Sequence, residues 1–269
     1  MVDQSVYKNY FEAVKRCSLA AQSDFEKVLA LVDLNNIAAA IALLEELLPG
    51  IVEMYGNAAA TAAAEMYEAV LLAETGKATT AYLAATESEK MRGAVGYAAS
   101  LLSDGKVNKA ITMLRKNIDY YVKEPARQTV TESAKRDGVR WARVPQGRET
   151  CGWCVLLASR GFVYHSEHTA HGYHANCDCM PVPSTKADTV IDGYDQKGYE
   201  EMYLEARRKV KGGGYANSKE LTTAIANQLR NDLYEQNKDH VNAVKRQWWA
   251  ENKDEQNAKR RKKAAAQKG

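Results

Sequence analysis

The sequence predicts a mainly α protein: an N-terminal helical bundle, then a small α+β module stapled by zinc, then a C-terminal helix with a basic tail. Three observations carry that expectation. Over the first half of the chain apolar residues recur at helical spacing, and alanine is abundant while the whole sequence holds only 3 Phe and 5 Pro. At Asp137-Gly138 the texture changes to alternation and turn residues. Four of the 5 cysteines then fall between Cys151 and Cys179. A chain of 269 residues has room for one large domain or two modest ones. The expected divisions are a helical domain over 1–137, a Cys/His zinc module over 138–195, C-terminal helices over 196–258 and a basic tail over 259–269.

From Gln4 onward the apolar positions are Val6, Tyr10, Val14 and Cys17, then Phe25, Val28, Leu29 and Val32, then Ile37, Ile41, Leu44 and Leu48. Asp33-Leu34-Asn35-Asn36 reads as a turn, so two helices are expected, the second stopped by Pro49-Gly50. An alanine-lined helix follows over Ile51–Glu74 and ends near Gly76; small side chains let helices approach closely, which places it inside the bundle. Thr79–Ala85 continues a helix or forms a linker. Ser88 opens the next helix, to about Leu102, and Ser103-Asp104-Gly105 closes it. Val107–Asp137 reads as one long helix with Ile111, Leu114, Ile118 and Tyr121 on one face and Pro125 as a point of kinking. Cys17, alone on a helix, reads as a small core residue rather than a reagent.

Beyond Gly138, Val139–Val144 alternates in the manner of a half-buried strand. Thr150 is placed to cap a short helix from Cys151 to Ser159, ended by Arg160-Gly161. Phe162–Tyr164 and Cys179–Pro183 read as short strands. A helix over Tyr199–Val210 runs into Gly212-Gly213-Gly214, a joint. Asn217-Ser218 caps a last helix with Leu221, Ile225, Leu229 and Leu233 at heptad-like spacing, continuing through Val241, Val244, Trp248 and Trp249. Two adjacent tryptophans cannot share one seam, so one is expected to face a partner or another part of the fold.

The chemistry gathers in Cys151-x-x-Cys154 and Cys177-x-Cys179, with His174 three residues before the second pair. A short-spaced thiol pair followed by further His and Cys is how a chain wraps one tetrahedral zinc ion, because closely spaced thiolates reach the metal from adjacent positions. Five donors compete for four places: Cys151 and Cys154 first, then two of His174, Cys177 and Cys179. A catalytic zinc keeps one position for water, and donors enough to close the shell favour one structural zinc per chain. The competing readings are a pair of disulfides or a set of buried, unliganded thiols; disulfides suit an export context, and Met1-Val2-Asp3-Gln4 lacks the start of an export signal. His165, His168 and His171 read as loop histidines rather than a second metal site.

The net charge is +3, unevenly placed. Lys259, Arg260, Arg261, Lys262 and Lys263 open a tail without acidic residues, suited either to phosphate contact or to a solvated end. Arg140, Arg143, Arg148 and Arg160 read as phosphate contacts or as ordinary solvated surface. No apolar run approaches the length of a membrane span, so a soluble protein made in a reducing cytoplasm is expected.

The run Arg143-Val144-Pro145, Thr150-Cys151-x-x-Cys154-x-x-Leu157-Ala158-Ser159-Arg160-Gly161-x-x-Tyr164, then Tyr173-His174-x-x-Cys177-x-Cys179-x-x-x-Pro183, resembles the phage Mu protein F-like minor head proteins of tailed bacteriophages, most of all those of actinobacterial phages. The specific match covers Trp141–Pro183. The resemblance implies a minor capsid protein made in the bacterial host cytoplasm and carried inside the head near the portal. It would act in head assembly and in DNA packaging or ejection. Its partners would be the portal and major capsid proteins and packaged double-stranded DNA, met through the basic tail; no membrane and no small-molecule substrate is implied.

The rival reading is a zinc-containing nuclease of the His-metal finger type, with His174 or a neighbour as base and Glu167, Asn176 or Asp178 as companion. A protease is disfavoured by the lack of a Gly-x-Ser-x-Gly elbow. A zinc-containing DNA-binding regulator is disfavoured by Val155, Leu156 and Leu157 standing where base-reading side chains would be needed. The expectation is a protein without catalysis of its own.

Overall fold

The computed structural model describes residues 2–147, 150–166, 170, 172–174 and 177–266; within 240–266 the side chains described are those at 242, 243, 246–250, 253, 257 and 261. Its elements are α1 (Gln4–Leu31), α2 (Ile37–Thr75), α3 (Glu89–Ser103), α4 (Val107–Asp137), β1 (Arg140–Val144), α5 (Gly152–Ala158), β2 (Met180–Ser184), α6 (Gln196–Val210) and α7 (Ser218–Ala266). The protein is therefore mainly α with a small two-stranded sheet. It divides into two compact units, one of Met1–Thr150 with Cys154–Tyr203, the other of Cys151–Trp153 with Leu204–Gly269.

In the first unit α1 starts where the Asp3 carboxylate accepts from the Ser5 N–H. Its buried face is Tyr7, Tyr10, Val14, Ser18, Ala21, Phe25 and Val28, the repeat that a helix lying along a bundle requires. Phe25, Leu44, Leu48, Met91, Val95, Leu114 and Ile118 meet in one apolar core drawn from α1 to α4. Cys17 packs, partly buried, against that cluster.

Pro49 does not stop a helix, as the sequence suggests it should: α2 runs unbroken from Ile37 to Thr75. A proline inside a helix leaves the carbonyl four residues earlier without its donor. Here that carbonyl, Glu45 O, accepts from Arg92 Nη1 of α3 at 2.8 Å. The neighbouring helix replaces the missing bond, and the proline ring is buried. α2 does end where expected, with Gly76 at φ 71° as its cap.

Residues 77–87 are neither a helix nor a loose linker. They form an extended strap whose backbone groups, lacking a ladder, are satisfied by side chains of the helices. Ala81 N–H donates to Glu68 Oε1 (2.9 Å), Tyr82 N–H to Ser133 Oγ (2.8 Å) and Ala84 N–H to Thr129 Oγ1 (3.1 Å). Thr86 Oγ1 donates to Asn57 Oδ1 at 2.8 Å. The strap passes close over Gly56, where an added Cβ would lie 2.5 Å from Thr86 Oγ1 and 3.2 Å from Pro125 Cγ.

β1 pairs antiparallel with β2, Trp141 opposite Pro183 and Arg143 opposite Pro181. Prolines are tolerated because a two-stranded ribbon leaves one side of each strand without a ladder. On the far side of β1, Trp141 and Tyr164 exchange backbone hydrogen bonds at 3.1 Å each way. The strand read over Phe162–Tyr164 is thus only this bridge. β1 is also not half-buried: from Trp141 to Val144 every residue is buried, because α4 packs against the ribbon.

In the second unit, Asn217 Oδ1 accepts from the Glu220 N–H while Glu220 Oε2 accepts from the Ala216 N–H, a reciprocal cap for α7. Among its described side chains the buried ones are Ile225, Ala226 and Leu229. Gly152 approaches that helix so closely that a Cβ would lie 2.2 Å from Ala226 O. Trp248 and Trp249 are both exposed, 46% and 43%, their rings edge to face at 5.4 Å. The backbone stays helical through the basic segment to Ala266. Arg261 is exposed there, while the side chains of Lys259, Arg260, Lys262 and Lys263 lie outside the described residues.

Candidate metal centre

The Cys154 thiol projects from α5, and Cys177 and Cys179 lie on the segment leading into β2. All three are buried, at 1%, 2% and 0% exposure. Their sulfurs lie within 4.8 Å of one another, and Cys154 Sγ is 3.4 Å from Cys177 Sγ. Two thiolates each ~2.3 Å from a tetrahedral ion stand about 3.8 Å apart, so this spacing suits zinc with little adjustment. Cys151 and His174, together with Cys154, also bring their donor atoms within 4.8 Å of one another. Cys151 is half-buried and His174 exposed. None of the five cysteines forms a disulfide.

Hydrogen bonds from Cys154 and Cys179 hold Cys177 far below the usual thiol range against the opposing effect of burial, and the Arg127 and Arg143 charges add to that. Burial drives Cys179 the other way, well above it. Three thiols packed this closely beside two guanidiniums are the arrangement of a thiolate metal site, whose ligands give up their protons as the ion binds.

Three residues that sequence reasoning did not assign to this site surround it. Arg143 is not on the surface: it is 1% exposed, and its Nη2 donates to Cys177 Sγ at 3.1 Å. Its Nη1 donates to Ala170 O at 2.8 Å and also to Gly172 O. Burial opposes its charge, but the Tyr173 phenol and the Cys179, Cys177 and Cys154 sulfurs more than offset that, so the guanidinium is held protonated. Arg127, from the buried face of α4 and also 1% exposed, donates to Cys177 O at 2.6 Å and Cys179 O at 3.3 Å. Both guanidiniums lie over the Tyr173 ring, at 4.2 Å for Arg127 and 4.0 Å for Arg143. The sequence signals were the run Arg143-Val144-Pro145 and the place of Tyr173 beside His174, neither of which shows that the side chain is turned toward the thiols. Arg127 had one signal, a charged residue at helical spacing from Val130, Thr131 and Ala134, which are buried with it.

Asp178, between two of the thiols, accepts from the Gly147 N–H at 2.6 Å and so pins the chain ahead of α5. His165 is exposed. Glu167, His168, His171, Asn176 and Arg148 lie outside the described residues. Among those described, the two overlapping trios are the groups of His, Cys and carboxylate donors placed to hold a metal.

A family model described as VG15 protein matches residues 1–206. The gene 15 protein of Mycobacterium phage D29 is 27% identical over 128 residues, covering 35% of this chain and 46% of the relative. The gene 15 protein of Mycobacterium phage L5 is 27% identical over 165 residues, covering 42% of this chain and 54% of the relative. The chain thus spans about half the length of the curated relatives it matches. No solved structure matches it. These likenesses support a phage protein family; they do not carry the finer Mu protein F-like assignment.

Proposed function

The chain belongs to the VG15 family, and from that premise we propose that it is a minor capsid protein of a tailed phage, held inside the head near the portal and acting in head assembly. The same reading gives it contact with the portal and major capsid proteins, and with packaged double-stranded DNA through the basic end of α7. Phosphate contact of that kind weakens steeply with added salt.

The metal proposed is one structural zinc. Cys154, Cys177 and Cys179 hold three of its positions, and Cys151 or His174 takes the fourth. When bound, the ion ties the start of α5 to the start of β2. The observation that carries a staple rather than a reaction centre is the burial of all three thiols at 2% exposure or less, since a catalytic ion keeps a position open to water and substrate. The role of the chain's own residues is to keep the thiols dehydrated and aimed at one point. No helix among those described is long and apolar enough to cross a membrane.

The test is protein detection in purified phage particles, coupled to elemental analysis and a DNA-cleavage assay on the isolated chain. The chain is expected in intact heads, with one zinc per chain and no cleavage with or without chelator. Absence from the particles would overturn the virion role. Metal-dependent cleavage would replace the staple with a nuclease.

A further inference from the structure

A dehydrated cation needs a counter-charge within the protein, or it is not tolerated there. Arg127 and Arg143 place two such cations beside the thiol cluster, each 1% exposed. The acceptors described for them are the carbonyls of Cys177, Cys179, Ala170 and Gly172 and the Cys177 sulfur. No described carboxylate is among these. Carbonyl dipoles and the Tyr173 ring offer partial charges only, and a thiol offers a full charge only once its proton has left.

A divalent ion changes the sum. As it binds, each thiol gives its proton to water, and a dication on three thiolates and an imidazole carries one net negative charge; on four thiolates it carries two. Building on the structural zinc proposed for this cluster, we propose that Arg127 and Arg143 are the counterions of an anionic metal–thiolate centre, acting as positioning residues that make this site select a soft dication held by three or more thiolates. Arg143 acts on the sulfur directly, through its hydrogen bond to Cys177. Arg127 acts on the backbone carbonyls of both ligands in that pair. Hard ions such as magnesium and calcium, which take oxygen donors, gain nothing from this arrangement.

The experiment uses the full chain, with Co(II) as a spectroscopic probe and Zn(II) affinity measured against a chromophoric chelator at fixed pH. Arg143→Gln and Arg127→Gln keep a polar donor but remove the charge and shorten the side chain; Arg143→Lys and Arg127→Lys keep the charge. Each Gln variant is expected to lose about 10- to 100-fold in zinc affinity, the range found when groups supporting metal ligands are removed, and each Lys variant to recover most of it. The intensity of the thiolate-to-cobalt band, which counts bound thiolates, should fall in the Gln variants at sub-saturating metal and return when metal is raised. If a Gln variant does not fold, the Lys variant decides. Near-wild-type affinity there supports the counterion role, and a Gln-like loss overturns it. Gln variants binding zinc as tightly as the wild type would overturn the counterion role and leave the metal site standing. A wild-type chain that takes up neither ion would overturn both.

Discussion

Between α1 and α4 the side chains that meet are Phe25, Leu44, Leu48, Met91, Val95, Leu114 and Ile118. Around Cys177 they are three thiols, two guanidiniums and a phenol ring. Both groups are buried in the same unit, yet only the first is stabilised by burial itself. Apolar side chains gain roughly 1.5–3 kcal/mol each on leaving water. Buried guanidiniums and thiolates lose by the same transfer, and they depend on one another and on the proposed zinc to recover the loss. The difference separates what should survive metal removal from what should not.

The largest effect is expected at the thiols. Cys177→Ser or Cys154→Ser should remove the bound zinc and release hydrogen-exchange protection over β1, α5 and β2, while α1 to α4 keep theirs. Exchange followed by mass spectrometry reads both halves of that statement, and loss of protection across all the helices would show that the two regions are not separable.

Next come changes in the apolar core. Phe25→Ala should cost about 3–5 kcal/mol, the range for emptying a buried aromatic site. Because the core does not rely on the metal, the drop in denaturant midpoint should be similar in zinc-loaded and chelated protein. A drop seen only in the loaded form would merge the regions.

A smaller effect is expected where the strap crosses α2. Gly56→Ala puts a Cβ 2.5 Å from Thr86 Oγ1, and relieving it should cost about 1–3 kcal/mol, as overpacking does. Limited proteolysis should then open the chain within 77–87 first.

The smallest is at Pro49. Arg92→Ala leaves Glu45 O without its donor and should cost about 1 kcal/mol, the usual net worth of one hydrogen bond. Thermal unfolding checks it, and an unchanged midpoint would mean water replaces the arginine.

The same contrast explains what could be read in advance. The helices of the first unit were legible because burial repeats every three or four residues, and Ser88, Gly76 and Gly105 mark their ends. Pro49 misled because the bond that rescues it comes from Arg92, on the next helix, and no local pattern shows that. The strap was illegible for a like reason: its N–H partners, Glu68, Ser133 and Thr129, are remote in sequence. At the candidate site the donors could be named from spacing, since metal geometry constrains spacing. The arginines could not, because a buried charge looks like a surface charge until its surroundings are known. Arg143 sits in an alternating strand where solvent exposure is the ordinary expectation, and Arg127 enters from a helix 50 residues before the thiol it supports.

The most direct measurement is elemental analysis of the purified full chain, with one aliquot exposed to a strong chelator and followed by tryptophan fluorescence and far-ultraviolet circular dichroism. One zinc per chain is expected, released only together with a change in the fluorescence of the buried Trp141, while most of the helical signal remains. Protein that carries no zinc as purified, binds none when it is supplied, and keeps Trp141 buried under chelator would contradict the metal-stapled module.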